Sequence, residues 1–251
     1  MEKLAWDVRS APPSGGAVVA SVRGDLDRAT RTALVTSLAD LLVEHGGVVL
    51  DVSGLHPGHS PAVHAFTEAL ARAGGWPSAR LALAAPDPAL AALLTASRVA
   101  EEAPVYGDVA DALSHLADRP AVLRDGWRFD VDPHAPGRAR SRVRDLCRRW
   151  GLESEVREAA EIVITELVTN AVEHALSPSV VEVERHGDAF RMAVRDYGSR
   201  AGHDVPEATF WHVPPMSSSR GRGLAMVAAV SRAWGVLRHP DGKTIWAEMA
   251  T

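Results

Sequence analysis

The chain has 251 residues, 27 basic against 32 acidic for a net charge of −5, and 46% of it is apolar. This is the composition of a globular protein, and it excludes a collagen, a disordered tail or a disulfide scaffold. No apolar run reaches the ~18–20 residues that span a bilayer, the first ten residues lack the plan of a signal peptide, and Cys147 is the only cysteine. A cytoplasmic protein that does not touch membranes is expected.

Residues 1–118 hold 8 basic and 14 acidic side chains, and residues 119–251 hold 19 and 18. Neither half has the basic excess of a nucleic-acid binder. The polar stretch Asp118–Gly126 separates two periodic regions. The expected organisation is a domain over 1–118, a linker over 119–126 and a second domain over 127–251.

In the first half, Leu4, Trp6 and Val8 alternate as a strand, Pro12–Gly16 turn, and Ala17–Val22 complete a hairpin. Asp27 or Thr30 is a candidate cap for a helix with Leu34, Leu38, Leu41 and Leu42 on its apolar face, closed by Gly46-Gly47. Val48–Leu50 reads as a buried strand, 60–73 as a helix, 80–85 as a strand, and 86–96 and 108–116 as two more helices. Alternating strands and helices predict a mostly parallel sheet.

The second half begins with a strand over 127–131 and a helix over 135–150. A long helix capped by Ser154 runs to about Ala175, with strands over 180–184 and 190–195 after it. Beyond the irregular 206–219, glycines open a helix at Gly221, and strands at 234–238 and 244–249 flank the turn Pro240-Asp241-Gly242. This is a sandwich of helices on an antiparallel sheet.

On the long helix Glu166, Asn170 and His174 follow at i, i+4 and i+8, so they share one face, while Ile164, Leu167, Val168 and Ala171 occupy the other. Asp196-Tyr197-Gly198 ends a strand, where a carboxylate can accept an exocyclic amine. Gly221-Arg222-Gly223 opens a helix, where backbone N–H groups can approach a phosphate. An asparagine oxygen can complete a Mg²⁺ shell built from phosphates and waters. These parts suit a nucleotide. The triplet Gly242-Lys243-Thr244 is not a P-loop, because Leu237 stands where the first glycine is required and a strand follows.

Residues 127–251 resemble the GHKL, or Bergerat-fold, ATPase domain of the anti-sigma-factor serine kinase type. The run from Glu166 to His174 is similar to its N box, Asp196–Gly198 to its G1 box, Arg220–Leu224 to its G2 box and Gly242–Thr244 to its closing strand. The first glycine box departs from the pattern, with Arg200 where a second glycine belongs. The resemblance implies Glu166 as the catalytic base. It implies ATP binding by Asn170, His174, Asp196, Gly198, Arg220, Gly221, Arg222, Gly223, Leu224 and Thr244, Mg²⁺ on Asn170, and a lid over about 201–219.

Residues 4–117, with Gly24–Asp27 before a helix and Leu50–Gly54 before a loop, resemble a STAS domain, the anti-anti-sigma-factor fold. Ser60 takes the position of that family's phosphorylated serine. The neighbouring acid, second serine and glycine are missing, and Ser60 also reads as a plain helix cap ahead of Pro61. The fold class expected for the whole chain is α/β plus α+β: a mixed STAS-like sheet, then a Bergerat sandwich.

The two resemblances together imply a partner-switching regulator that transfers the γ-phosphate of ATP to a serine of a STAS partner. The alternative is a nucleotide-binding interaction module without transfer activity. Expected partners are a sigma factor or a STAS protein, a contact between the chain's own halves, and a second copy in a homodimer.

Overall fold

The computed structural model describes residues 4–10, 17–58, 60–198 and 222–251. The turn expected at 12–16, His59 and the lid expected over 201–219 lie outside the described residues. The chain divides into two units, Met1–Leu123 and Arg124–Thr251.

The first unit is built on a five-stranded sheet, β1 (Ala5–Ser10), β2 (Val18–Leu26), β3 (Gly47–Pro57), β4 (Arg80–Ala84) and β5 (Val105–Tyr106), in that spatial order. The β1–β2 pair is antiparallel and the others are parallel. Val48, Val49 and Leu50 are all buried, as expected of a parallel strand covered on both faces. Helices α1 (Arg31–His45), α2 (Ala65–Arg72) and α3 (Pro88–Ala96) share one core through Leu34, Leu38, Phe66 and Leu90. Helix α4 (Val109–His115) closes the opposite face over Val49, Ala82 and Ala84. Each leucine fully buried this way contributes roughly 1.5–3 kcal/mol.

Local chemistry sets the ends of α1. Gly46, at φ 68°, donates its N–H to Leu42 O at 2.8 Å, a left-handed stop that favours glycine. Thr30 stands at the start without a side-chain cap bond; its hydroxyl instead donates to Asp25 O at 2.7 Å. Asp27 Oδ1 accepts the N–H groups of Ala29 and Thr30 at 2.7 and 2.9 Å. Those bonds, Thr30's first, hold the Asp27 carboxyl below its ordinary value. The helix expected from Ser60 begins instead as a 3₁₀ turn, Ser60–His64, with Pro61 having no N–H to offer.

The second unit has the sheet order β6-β7-β8-β10-β9, with β6 (Val122–Phe129), β7 (Ser179–His186), β8 (Ala189–Asp196), β9 (Ala233–His239) and β10 (Gly242–Ala250). The pairs β7–β8, β8–β10 and β10–β9 are antiparallel. Helices α5 (Ala135–Arg149), α6 (Ser154–Asn170) and α7 (Arg222–Val230) complete it, with α6 packed on α5, α7, β8 and β10. The two units thus have the mixed and antiparallel sheets of the α/β plus α+β expectation.

Three local expectations are corrected. Residues 122–126, read as linker, belong to β6, because Val122 and Leu123 bury their side chains. Glu153 rather than Ser154 holds the N-cap position of α6, in extended backbone and without a side-chain cap bond. The α-helical ladder of α6 ends at Asn170 and passes into a π turn, Ala171–Ala175, closed by Leu176 at φ 49°. Among the described residues no helix is long and apolar enough to cross a membrane.

Candidate functional site

Side-chain alternation along two strands assembles the centre of the site. On β8, Phe190, Met192 and Val194 are buried on the face that α6 covers, and Asp196 is the next residue of that row. On β10, Ile245, Ala247 and Met249 form the equivalent row, and Lys243 precedes it at the same parity. Lys243 and Ser179 are the direct cross-strand partners of Asp196, one on each side. Directly opposed residues share a face, so Ser179, Asp196 and Lys243 stand in line across β7, β8 and β10. The Lys243 Nζ lies 2.8 Å from Asp196 Oδ2. Oδ1 of Asp196, also buried, has no hydrogen-bond partner among the described residues.

The end of β8 is strapped to the segment that follows α6. The Tyr197 N–H donates to Ser177 Oγ at 3.0 Å. A β-carbon at Gly198 would stand 2.5 Å from Ala175 O, so only glycine allows the two chain segments to approach this closely. Gly242, at φ 151°, crowds the Asp196 carbonyl from β10 in the same way. On α6, Glu166 and Asn170 are half-buried one turn apart. The Glu166 carboxylate lies against the α-carbon of Gly223 at the start of α7.

The structure therefore brings the end of β8, with Asp196 and Gly198, to the segment that follows α6, and Gly223 to Glu166. Leu224 is buried and acts as packing. Thr244, expected at the nucleotide, lies on the other face of β10 from the buried row, where its hydroxyl meets His239 Nε2 at 2.9 Å. Lys243 has the parity of the buried row. Arg220 and Gly221 lie outside the described residues, as do the side chains of Ser60, His174 and Arg222. Sequence reasoning missed Lys243, Ser177 and Ser179. The period of two through Ile245 and Ala247 was a usable signal for Lys243; nothing local marks the two serines.

Family comparison decides what this frame is. The model of the STAS domain matches residues 9–112, and that of the histidine kinase-like ATPase domain matches residues 129–249. The chain carries a STAS domain followed by a histidine kinase-like ATPase domain. No curated protein matches the chain. Three solved structures are similar to it. An anti-sigma factor antagonist from Mycobacterium paratuberculosis is 20% identical at TM-score 0.39, over 46% of this chain and 95% of that one. The RsbU and RsbW domains of a Mycobacterium tuberculosis protein are 21% identical at TM-score 0.37, over 49% of this chain and 32% of that one. The anti-sigma factor antagonist SpoIIAA in its unphosphorylated form is 13% identical at TM-score 0.36, over 44% and 95%. Asp196, Lys243, Glu166 and Gly223 all belong to the ATPase domain, and Ser60 belongs to the STAS domain.

Proposed function

We propose that the ATPase domain binds ATP with Mg²⁺ and passes the γ-phosphate to a serine of a STAS protein, making the chain a cytoplasmic partner-switching regulator of sigma-factor availability. The observation that carries this reading is the buried Asp196 Oδ1 at the end of β8, without a hydrogen-bond partner among the described residues. A buried acceptor without a donor is costly, and the exocyclic amine of adenine supplies one.

The rest of the site fits the same ligand. Gly198 lets the end of β8 come up against Ala175, and Gly223 lets the start of α7 come up against the Glu166 carboxylate. Among the described residues no three His, Cys, Asp or Glu side chains gather as a metal cluster. The Asn170 amide oxygen suits Mg²⁺, which keeps several waters and takes most other ligands from phosphates. Bound there, the ion neutralises charge on the phosphates.

Glu166 accepts the proton of the incoming serine hydroxyl. The serine oxygen bonds to the γ-phosphorus, the bond from that phosphorus to the bridging oxygen breaks, and ADP leaves with that oxygen. Asn170 and the start of α7, with Arg220, Gly221, Arg222 and Gly223, orient the phosphates. The STAS domain of the same chain, a separate STAS protein, a sigma factor or a second copy of the chain offers the partner surface. Ser60 is a candidate acceptor within the chain.

Calorimetry with ATP and Mg²⁺ and a labelled-ATP transfer assay test this reading. Asn170→Ala is expected to abolish binding. Glu166→Gln is expected to leave ATP bound and to slow transfer by about 10²–10⁴-fold. Binding without transfer in the native chain would leave a nucleotide-gated interaction module, and no binding at all would overturn the assignment. Mass spectrometry after incubation with ATP reports whether Ser60 takes phosphate.

A further inference from the structure

Lys243 has no role in the reading above, yet it is the charged neighbour of the one side chain assigned to the base of the nucleotide. Its side chain is 14% exposed and that of Asp196 3%. Desolvating an ion pair costs free energy that a pair of apolar residues would not. The pair closes two otherwise apolar rows, Phe190-Met192-Val194 on β8 and Ile245-Ala247-Met249 on β10. It leaves the carboxylate half used: Oδ2 faces the ammonium, and Oδ1 has no partner among the described residues.

We propose that Lys243 is a specificity-determining positioning residue: its ammonium holds Oδ2 of Asp196 so that Oδ1 is presented purely as an acceptor, which selects adenine over guanine. This rests on the ATP reading of the site. A carboxylate only accepts hydrogen bonds, whereas a protonated carboxylic acid both donates and accepts. Adenine carries an amine donor at the position where guanine carries a carbonyl oxygen. Against a carboxylate acceptor, guanine places two acceptors face to face in a desolvated pocket.

Without the ammonium, Oδ2 loses the partner that fixes the orientation of the carboxylate. A carboxylate free to turn no longer holds one acceptor at a set place against the base, and discrimination between an amine and a carbonyl oxygen falls. Ser179, in register on β7, is a polar neighbour of Asp196 that carries no charge to replace the ammonium.

The test measures the affinities of the full chain for ATP and GTP, each with Mg²⁺, by calorimetry. The native chain is expected to prefer ATP by at least ~10²-fold, as a site built around one hydrogen bond does. Lys243→Met is expected to bring the two affinities within about tenfold of each other, and Lys243→Arg, which keeps the positive charge, to retain the preference. A merely structural lysine would lower both affinities by one common factor, and that outcome overturns the proposal. If the methionine variant does not fold, Lys243→Gln gives the same reading, since it keeps a donor but no charge. A native chain that binds ATP, with a ratio unchanged in the variants, removes Lys243 from specificity and leaves the ATP site standing. A native chain that binds neither nucleotide overturns both readings.

Discussion

The carboxylate of Glu166 on α6 occupies the place where a side chain at residue 223 would begin: a β-carbon built on Gly223 overlaps Glu166 Oε2. Two helices separated in sequence by the β7–β8 strand pair and a loop meet at this point, and the glycine is what lets them meet. The positive end of α7 thereby comes to a carboxylate, a favourable pairing of charge with helix dipole.

Gly223→Ala is therefore expected to push the Glu166 carboxylate aside and to destabilise the protein by about 1 kcal/mol at most, the low end of the cost of overfilling a site, because the atom in the way is the end of a flexible side chain. In an open helix position alanine would instead be favoured by about 1 kcal/mol. Adding Glu166→Ala to the same chain should recover most of the loss. Chemical denaturation of the two single variants and the double variant measures the coupling. A Gly223→Ala chain more stable than the native one by the full gain of about 1 kcal/mol would show that the contact does not exist.

Gly242→Ala should act on Asp196 through the backbone. The glycine has φ 151°, and a β-carbon there overlaps the Asp196 carbonyl oxygen. Stability should fall by about 1–3 kcal/mol. Gly187, in the β7–β8 turn at φ 58°, has nothing within 4 Å of its β-carbon position. Gly187→Asn, a residue that tolerates left-handed backbone, should therefore be nearly silent. Thermal melts of the two variants compare the effects directly, and equal losses would contradict the close approach at Gly242.

An ion pair ties α5 to α6. Arg144 Nε donates to Glu161 Oε1 at 2.8 Å, and Nη2 to Oε2 at 2.5 Å. The Arg144 hydrogen bond holds the Glu161 carboxyl below its ordinary value. A carboxylate lowered by folding binds its proton more weakly in the native state than in the unfolded chain. Its contribution is thus fully present above the ordinary glutamate range, about pH 4.3, and is lost as pH falls through the lower native value. Glu161→Gln should flatten the acid limb of the stability curve between about pH 5 and 3. Denaturation midpoints across that range would settle it, and an unchanged limb would mean the pair contributes nothing.

Cys147 sits in the core face of α5, and burial pushes its thiol up to about 12. The thiolate is the reactive form, so at pH 8 alkylation of the native chain should be on the order of a thousandfold slower than that of a free thiol. A thiol raised by folding contributes stability that is complete below the ordinary thiol range and is lost as pH rises through about 12. Mass spectrometry after iodoacetamide treatment, with and without denaturant, reads the difference. Rapid native labelling would mean the helix opens easily.

Much of the fold was legible in the sequence because it is written in short-range periodicity. The alternation in β8 and β10, the apolar face of α1 and the glycine stop at Gly46 are properties of neighbouring residues, and each reads the same in the chain and in the structure. The apolar face Ile164, Leu167, Val168 and Ala171 of α6 is buried as its spacing required. The motifs around Glu166, Asp196 and Gly223 could likewise be found one at a time, since each is a few consecutive residues.

What only the tertiary structure decided is how those short pieces meet. A period of two shows that Lys243 shares a face with Ile245, and Asp196 with Val194. It does not show that the two rows end opposite each other, because register is fixed by core packing across strands 47 residues apart. The same register turns Thr244 away from Asp196 and toward His239. The π turn after Asn170 and the apposition of Gly223 with Glu166 also depend on long-range packing, which overrides what local propensity prefers.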